Sequence, residues 1–294
     1  MMFLAIKTED GVIKGKISFY CRMLKVTRQG FYKYLADKDR PWKYQDLADA
    51  MREIASEDEC NDTYGRIRMY QALLLKQPEG VRIPGERTVY RIMDKIGLSH
   101  RPKRKPNGIT KADREARKSD DLLKRDFTSA EPLKKCVTDI TEIKAKDGKL
   151  YVPAIFDCLD ADVPGLAMDT NMKAPLCEQT PANAARSYPA LRGAIIHPDR
   201  GTQYTSETYR RAVAKYGIIQ SMNSAGGRCH GNARCESMWG RMKEELLYGR
   251  CNTEEMMREE LKTLIWRYFI SYWNNRRICS ANEGLPPMVK RQRD

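Results

Sequence analysis

The chain contains 294 residues and carries a formal net charge of +14, from 53 Lys and Arg against 39 Asp and Glu. This length is sufficient for one large or two modest domains with a buried core. The basic excess favours a polyanionic partner, because each contact between a basic side chain and a phosphate releases a condensed counterion. An anionic membrane surface is the competing interpretation, but the sequence has no basic amphipathic helix with bulky apolar anchors. Nucleic acid is therefore the expected partner.

The sequence predicts a cytoplasmic protein. No segment reaches the roughly 18 consecutive apolar residues of a membrane-spanning helix. Residues 1–12 include charged side chains and are not typical of a signal peptide. The nine cysteines are scattered and odd in number, which predicts free thiols in a reducing compartment. Cys229 and Cys235, with His230 between them, lack the paired spacing of a zinc site.

Residues 1–100 are predicted to form a helical region. Within it, residues 18–35 have the pattern of a helix-turn-helix, with Thr27 as the N-cap of the second helix. Further helices are predicted over residues 45–56, 64–76 and 86–96. Two such helical pairs on a basic chain favour DNA contact, and a small bundle with solvated charges is the alternative.

Residues 101–130 are predicted to be a basic linker followed by a helix. Residues 101–106 place four basic side chains between two prolines, which favours an extended cationic connector. A contact with DNA phosphates and a solvated hinge both remain open for it. A polar helix is predicted over residues 111–125.

Residues 131–294 change period and are predicted to form a mixed α/β sheet with flanking helices. The predicted strands cover residues 136–143, 150–159, 165–169, 193–197 and 218–221, with a hairpin turn at Asp147-Gly148. The predicted helices cover residues 174–187 and 206–216, and two long helices begin at Ala233 and Thr253.

Three acidic residues lie where this sheet would present chemistry. Asp139 lies within a β-branched run, where a carboxylate is costly to bury unless it is paired. Asp199 follows an apolar strand directly, and Glu236 lies near the start of a helix with Lys243 two turns later on the same face. Carboxylates on separate elements are the oxygen ligands that magnesium prefers. Two such ions, about 3.5–4 Å apart, would activate a nucleophile and stabilise the leaving oxygen of a phosphodiester. For each acid alone, a turn residue or a salt-bridge partner remains the alternative.

Several strings of residues together resemble one family. They are Val137-Thr-Asp-Ile-Thr-Glu-Ile143, Asp147-Gly-Lys-Leu-Tyr151, His197-Pro-Asp-Arg-Gly-Thr-Gln-Tyr-Thr-Ser206, Gly217-Ile-Ile-Gln-Ser-Met222, Asn232-Ala-Arg-Cys-Glu-Ser237 and Tyr272-Trp-Asn-Asn-Arg-Arg277. They resemble the DDE integrase core of bacterial insertion-sequence transposases of the IS-three group, whose members encode OrfA and OrfB reading frames. Tyr64-Gly-Arg-Ile-Arg68 and residues 89–98 resemble the helical DNA-binding region that precedes this core in OrfB.

The resemblance implies an RNase H-like fold and a transposase that cleaves and joins DNA strands at element ends. It implies that Asp139, Asp199 and Glu236 bind two magnesium or manganese ions. It also implies that Lys243 contacts DNA near the cut site, and that Gln203 and Asn232 position the DNA. The terminal inverted repeats would be gripped by Arg66, Arg68, Arg87, Arg91, Arg101, Lys103, Arg104 and Lys105.

The resemblance further implies a bacterial, nucleoid-associated protein that binds terminal inverted repeats and target DNA. A homo-oligomer in the active complex is expected by analogy, because two DNA ends must be paired. Translation as a fusion with an upstream OrfA product is a further implication.

Some residues depart from the family pattern. Gly231 stands where the family commonly has Asp, and Pro198 stands where relatives usually carry Ser. Pro153 and Pro164 fall in or beside predicted strands, and Pro181 is expected to interrupt a predicted helix. A decayed copy with reduced activity is therefore one hypothesis.

A DNA-binding repressor that does not cut is a second. A nuclease for RNA–DNA hybrids is a third, and the helical DNA-reading segments argue against it.

Overall fold

The computed structural model describes residues 17–38, 41–100, 121–124, 126–199, 201–222 and 233–293. The chain divides into two compact units, Met1–Asp49 and Ala50–Asp294. The boundary falls within a helix of the predicted N-terminal region, and the predicted division at residues 100 and 130 stays a prediction. In the described ranges, no helix is both long and apolar enough to span a membrane.

The first unit contains the predicted helix-turn-helix pair, α1 (Ile17–Met23) and α2 (Arg28–Lys38). The chain turns at Lys25, which has a φ of 51°. The Thr27 hydroxyl accepts a hydrogen bond of 3.0 Å from the Gly30 amide, so Thr27 is the predicted N-cap. Phe31 and Cys21 are buried between the two helices. The helix α3 (Gln45–Ser56) follows as predicted and crosses the boundary between the units.

The second unit begins with the other predicted helical pair, α4 (Arg66–Lys76) and α5 (Glu86–Lys95). Each helix buries one apolar stripe: the buried residues are Met69, Ala72 and Leu73 on α4, and Val89, Ile92 and Met93 on α5. Because these residues recur every three or four positions, they lie on the faces that the two helices turn toward each other and the core.

A five-stranded mixed sheet forms the centre of the second unit. Its strands are β1 (Lys135–Ala145), β2 (Gly148–Asp157), β3 (Gly165–Leu166), β4 (Ile195–Pro198) and β5 (Ile219–Gln220). The spatial order is β3-β2-β1-β4-β5. The strand β1 runs antiparallel to β2 and parallel to β4, and β4 runs parallel to β5. The first hairpin turns at Asp147-Gly148 as predicted, with Gly148 at a φ of 126°.

Helices cover both faces of this sheet. They are α6 (Ala174–Ser187), α7 (Thr202–Thr205), α8 (Glu207–Lys215), α9 (Ala233–Met242), α10 (Arg258–Trp266) and α11 (Pro287–Arg293). The helices α9 and α10 continue directly into π-helical segments, Lys243–Leu247 and Arg267–Trp273. The prediction of a helix from Thr253 was wrong in its start, because Thr253–Glu255 is a single 3-10 turn and α10 begins five residues later.

The polar helix predicted over residues 111–125 is corrected where it is visible. Residues 121–124 form a bend and a turn rather than a helix, and residues 111–120 lie outside the described ranges. Asp121 accepts the amide hydrogen of Lys124, and the Ser221 hydroxyl accepts the amide hydrogen of Leu122. These side-chain acceptors, one local and one 99 residues away, take the place of helical backbone acceptors.

The strands alternate their side chains between two apolar layers. Val137 and Phe156 pack with Trp239 of α9 on one face. Cys136 and Ile196 belong to the layer on the other face, with residues of α6 and α8. Since successive residues of a strand point to opposite faces, β1 contributes side chains to both apolar layers.

The prolines are accommodated within continuous elements. Pro153 lies inside β2, and its carbonyl oxygen accepts the Ala167 amide at 3.2 Å on the β3 side. Because the nitrogen and oxygen of one residue face the same neighbour in an antiparallel strand, its missing N–H costs the β1–β2 ladder nothing.

The expected interruption at Pro181 was wrong, since α6 runs through it from Ala174 to Ser187. Packing explains this outcome: a Cβ on Gly165 would lie 2.7 Å from both the Ala184 Cβ and the Thr180 carbonyl oxygen. The helix is therefore pressed against β3 on either side of the proline, which offsets the loss of one internal hydrogen bond.

Candidate active site

Asp139 and Asp199 lie at the same level of two neighbouring strands. In the parallel pair β1–β4, Thr138 is opposite Pro198, so Asp139 and Asp199 are the next residues along each strand. Neighbouring strands are about 4.7–4.9 Å apart, which brings the two backbones side by side at this point. The sequence analysis predicted that both carboxylates belong to one site, and the strand register brings their backbones side by side near the end of β4.

Glu236 approaches from the helix that covers the same face. Asp139 lies two residues after Val137 and so points to the same side of β1. Val137 belongs to the same apolar layer as Cys235, and α9 packs against β1. Burial raises the pKa of the Cys235 thiol well above its usual range, and the Asp139, Asp199 and Glu236 carboxylates raise it further. All three predicted acids therefore lie near enough to Cys235 to act electrostatically on its thiol.

The three carboxylates are too far apart in this structure to coordinate one metal ion together. Among the residues that the structure describes, no three His, Cys, Asp or Glu side chains lie close enough together to hold a metal ion. Glu236 is exposed on the first turn of α9, whereas Asp139 and Asp199 are half-buried.

The turn after β4 shapes the surroundings of Asp199. Burial raises the pKa of this carboxyl, and the Gly201 amide, which donates to its Oδ1 at 2.9 Å, lowers it in part. A Cβ on Gly201 would lie 2.8 Å from the Gln203 Oε1 and 3.0 Å from the Asp199 Oδ1. A side chain at position 201 would displace one of these two side-chain ends, and the predicted DNA-positioning residue Gln203 lies beside the acid.

Comparisons with known proteins bear on this arrangement. Residues 129–227 match the family model described as an integrase core domain. The chain is 28% identical over 274 residues to the transposase InsF for insertion sequence IS3A of Escherichia coli, covering 92% of each chain. It is 38% identical over 172 residues to an uncharacterized transposase-like protein of Haemophilus influenzae, covering 58% of this chain and 76% of that protein.

The chain belongs to the DDE transposases of the IS-three group. The mixed sheet with flanking helices is accordingly an RNase H-like integrase core, as expected. A probable transposase for insertion sequence element IS1353 of Shigella flexneri is 32% identical over 270 residues, which is 91% of this chain. The chain spans about half the length of that relative, 50%.

In this transposase Lys243 lies near Asp139, on the first residue of the π-helical segment. Burial lowers the pKa of its ammonium group, while Asp139 and Glu142 raise it. The prediction that Lys243 shares a face with Glu236 agrees with this position, because α9 is regular between them. A π-turn adds a residue to the helix and is often found at functional sites.

Part of the predicted DNA-contacting set lies on the exposed side of α4 and α5. Arg87 and Arg91 are exposed. The Arg66 side chain is 59% exposed, lies 3.3 Å from the Glu86 carboxylate and is stacked 5.8 Å from the Tyr90 ring centre. Other predicted contacts, Asn232, Arg101, Lys103, Arg104 and Lys105, lie outside the described residues.

Arg68 does not belong to that exposed surface. Its side chain is 19% exposed and donates a hydrogen bond of 2.8 Å to the Glu245 carboxylate. Its other terminal nitrogen donates to the Thr63 carbonyl oxygen at 3.2 Å. We correct the expectation for Arg68 accordingly, because its donors are already engaged inside the protein.

Sequence reasoning missed both Cys235 and Glu245. The cysteine was considered only as a free thiol and as part of a zinc pair, although its neighbour Glu236 was singled out. Glu245 offered a signal, since a carboxylate between Met242 and Leu246 interrupts an apolar stripe at helical spacing. Such an acid is expected to be buried with a partner.

Proposed function

We propose that this transposase cleaves and joins DNA strands at insertion-sequence ends through divalent metal ions held by Asp139, Asp199 and Glu236. The observation that carries this proposal is the placement of Asp139 and Asp199 on paired strands, with Glu236 on the helix that covers the same face.

The donor set fits a hard divalent cation. All three side chains offer carboxylate oxygens, which magnesium and manganese prefer. Asp199 is a half-buried carboxylate whose pKa is raised by loss of solvent, and a cation beside it would offset that cost. When bound, two such ions activate the attacking oxygen and stabilise the leaving oxygen of a phosphodiester.

The chain's own residues bind and orient the DNA in this proposal. Lys243 provides a cation next to Asp139, suited to a phosphate beside the cut, and Gln203 and Asn232 position the strand. The exposed arginines Arg66, Arg87 and Arg91 contact the terminal repeat. The linker adds contacts to DNA phosphates through Arg101, Lys103, Arg104 and Lys105. Because such contacts release counterions, the affinity for DNA should fall as the salt concentration rises.

The reaction has two steps with one chemistry. The first breaks a phosphodiester at the element end with water and leaves a 3′-OH. In the second, that 3′-OH attacks a phosphodiester of target DNA, and the broken target strand leaves with its own 3′-OH. Because two ends must be joined to one target, we propose a homo-oligomer as the active complex. From the family resemblance we also propose that the protein is made as a fusion with an upstream OrfA product.

The test is strand cleavage and transfer on a supercoiled donor carrying the repeats that flank the gene, in Mg²⁺ and in EDTA. Asp139→Asn, Asp199→Asn and Glu236→Gln should each abolish cleavage while leaving DNA affinity unchanged or higher. The matched control is Glu207→Gln, the same substitution on the first turn of α8, where Glu207 is 65% exposed and pairs with Arg211.

The alternatives correspond to defined outcomes of that experiment. Binding without cleavage by the wild type identifies either a repressor or a decayed copy. Cleavage that persists in all three acid variants contradicts the assignment of the acids. Cleavage of RNA–DNA hybrids in preference to the donor favours the nuclease.

A further inference from the structure

Glu245 is a buried carboxylate surrounded by donors from three distant segments. Its side chain is 2% exposed. Arg277 donates to both of its oxygens, at 2.6 Å to Oε1 and 2.8 Å to Oε2. Tyr268 donates to Oε2 at 2.8 Å, and Arg68 donates to Oε1 at 2.8 Å. Both oxygens are therefore saturated with charge-assisted or hydroxyl hydrogen bonds.

These bonds join the two π-helical segments to each other. Glu245 lies in Lys243–Leu247, whose widened turn is closed by the Tyr248 amide donating to the Lys243 carbonyl oxygen at 2.7 Å. Tyr268 lies in the other segment, Arg267–Trp273, where the Asn274 amide donates to the Phe269 carbonyl oxygen at 3.0 Å. One carboxylate thus anchors both irregular turns of the catalytic core.

The same carboxylate also reaches the helical region that precedes the core. Arg68 belongs to the first turn of α4 and is separated from Glu245 by 177 residues of chain. Its guanidinium lies 5.0 Å from the Tyr64 ring centre, and the Tyr64 hydroxyl accepts the Ile278 amide hydrogen at 3.1 Å. These contacts therefore connect the helix that carries the exposed Arg66 to the C-terminal half of the core.

We propose that Glu245 is a positioning residue: it holds the turn that aims Lys243 at Asp139, and through Arg68 it couples α4 to that turn. This inference rests on the proposed function. The carboxylate lies two residues beyond Lys243 on the same short segment. A regular α-helix continued through this segment would rotate every residue after Met242 and would direct Glu245 away from Tyr268 and Arg277.

Glu245→Gln is the direct test, because it preserves shape and removes the charge that binds the two arginines. We expect cleavage under single-turnover conditions to slow by about 10- to 100-fold, the effect of small misplacement in a preorganised site. The Kd for terminal-repeat DNA should stay at the wild-type value, because the exposed arginines of α4 and α5 are untouched. A residue with only a structural role would instead lower binding and cleavage together, as the fraction of folded protein falls.

Arg68 supplies a second variant that leaves the Arg277–Glu245 pair intact. Arg68→Met should reproduce the loss of rate at unchanged Kd, and Arg68→Lys, which keeps the charge, should restore much of it. The matched control is Glu244→Gln, the same substitution one residue earlier, where the carboxylate lies 3.2 Å from the His100 Nε2. It should cleave at the wild-type rate.

The inference is overturned if Glu245→Gln and Arg68→Met cut as fast as the wild type, or if their rates fall only in proportion to DNA binding. A wild-type protein that does not cut contradicts the proposed function instead. Amide hydrogen exchange at Tyr248 then decides the positioning role. It should rise in Glu245→Gln and not in Glu244→Gln, and equal exchange in both overturns the inference.

Discussion

Two buried ionic clusters in the second unit have opposite charge balances. In the Glu245 cluster, one carboxylate lies between two guanidinium groups, Arg68 and Arg277. In the Asp157 cluster, one guanidinium, Arg291, faces three carboxylates. These are Asp157, Asp160 and Asp162, each with 0% exposure of its side chain. The first cluster has a surplus of cations and the second a surplus of anions.

The Asp157 cluster connects α11 to the end of β2. Arg291 of α11 donates to Asp160 and Asp162 at 2.8 Å and to Asp157 at 2.9 Å, and it stacks 5.3 Å from the Tyr188 ring centre. Asp157 accepts the Leu133 amide hydrogen at 2.6 Å as well. Arg291 carries one positive charge against three carboxylates, so the groups that form this cluster in the described ranges have a net negative charge.

The difference in balance sets the direction of each pKa. For Glu245, burial acts to raise the pKa, but Arg277 and Arg68 lower it to about 2. For Asp162, burial raises the pKa to about 6; Arg291 opposes the rise, and Asp160 and Asp157 add to it. Burial acts to raise the pKa at both sites, so the direction depends on whether the neighbouring guanidinium groups outweigh burial. They do so at Glu245 and not at Asp162.

The largest expected effect is in Arg291→Met. This substitution removes the guanidinium that pairs with all three aspartates. We expect the free energy of unfolding at pH 8 to fall by about 3–5 kcal/mol, because buried charges are left unpaired. The loss should shrink as the pH falls toward 5, since Asp162, with a folded pKa of about 6, and Asp157, with a pKa raised by burial, can then take up protons. Urea unfolding at both pH values measures it. A loss that is equal at the two pH values would contradict a surplus of anions.

Arg277→Met should have a smaller effect, which sharpens the comparison. Glu245 keeps Arg68 as a partner, so the expected loss is about 2–3 kcal/mol from the charge-assisted hydrogen bonds. The folded pKa of Glu245, about 2, lies below the ordinary 4.5. Its stabilisation is therefore present above pH 4.5 and is lost as the pH falls toward 2. Unfolding of this variant and the wild type between pH 3 and 8 tests the sign, and a deficit that grows with acid would contradict it.

How much of this was predictable from the sequence differs between the site and the clusters. Asp139 and Asp199 were predicted because a carboxylate beside an apolar strand conflicts with local burial and so stands out. Local sequence placed each acid in or beside its own strand. The pairing of β1 with β4, which brings the two acids together, joins distant parts of the chain and is seen only in the structure.

The clusters depend on partners far apart in the chain, and local patterns carry little information about them. Arg68 and Arg66 look equivalent in sequence, yet one is paired across 177 residues and the other is exposed. The π-helical turns add one residue without changing the apolar composition, so periodicity does not predict them. The helix through Pro181 was mispredicted because its propensity cost is outweighed by packing against Gly165.

Asp162→Asn should stabilise the protein, the reverse of what loss of a salt bridge usually does. The folded pKa of Asp162, about 6, lies above the ordinary 3.8, so its ionisation costs stability as the pH rises through this window. Asparagine avoids that cost, and we expect a gain of about 1–3 kcal/mol above pH 6. The gain should vanish below pH 4. Thermal unfolding at pH 4 and pH 8 measures it, and a destabilised variant at pH 8 would mean that Arg291 balances all three aspartates.

The smallest effect is expected for an ion pair outside both clusters. Glu207 and Arg211 lie 2.7 Å apart on α8, with side chains that are 65% and 79% exposed. Water screens these charges, so Glu207→Gln should change the free energy of unfolding by less than about 0.5 kcal/mol. Its distance equals or nearly equals those around Glu245 and Arg291, so only burial and charge balance distinguish the three sites. A change as large as that of Arg277→Met, measured in the same urea titration, would show that the short distance itself is what stabilises.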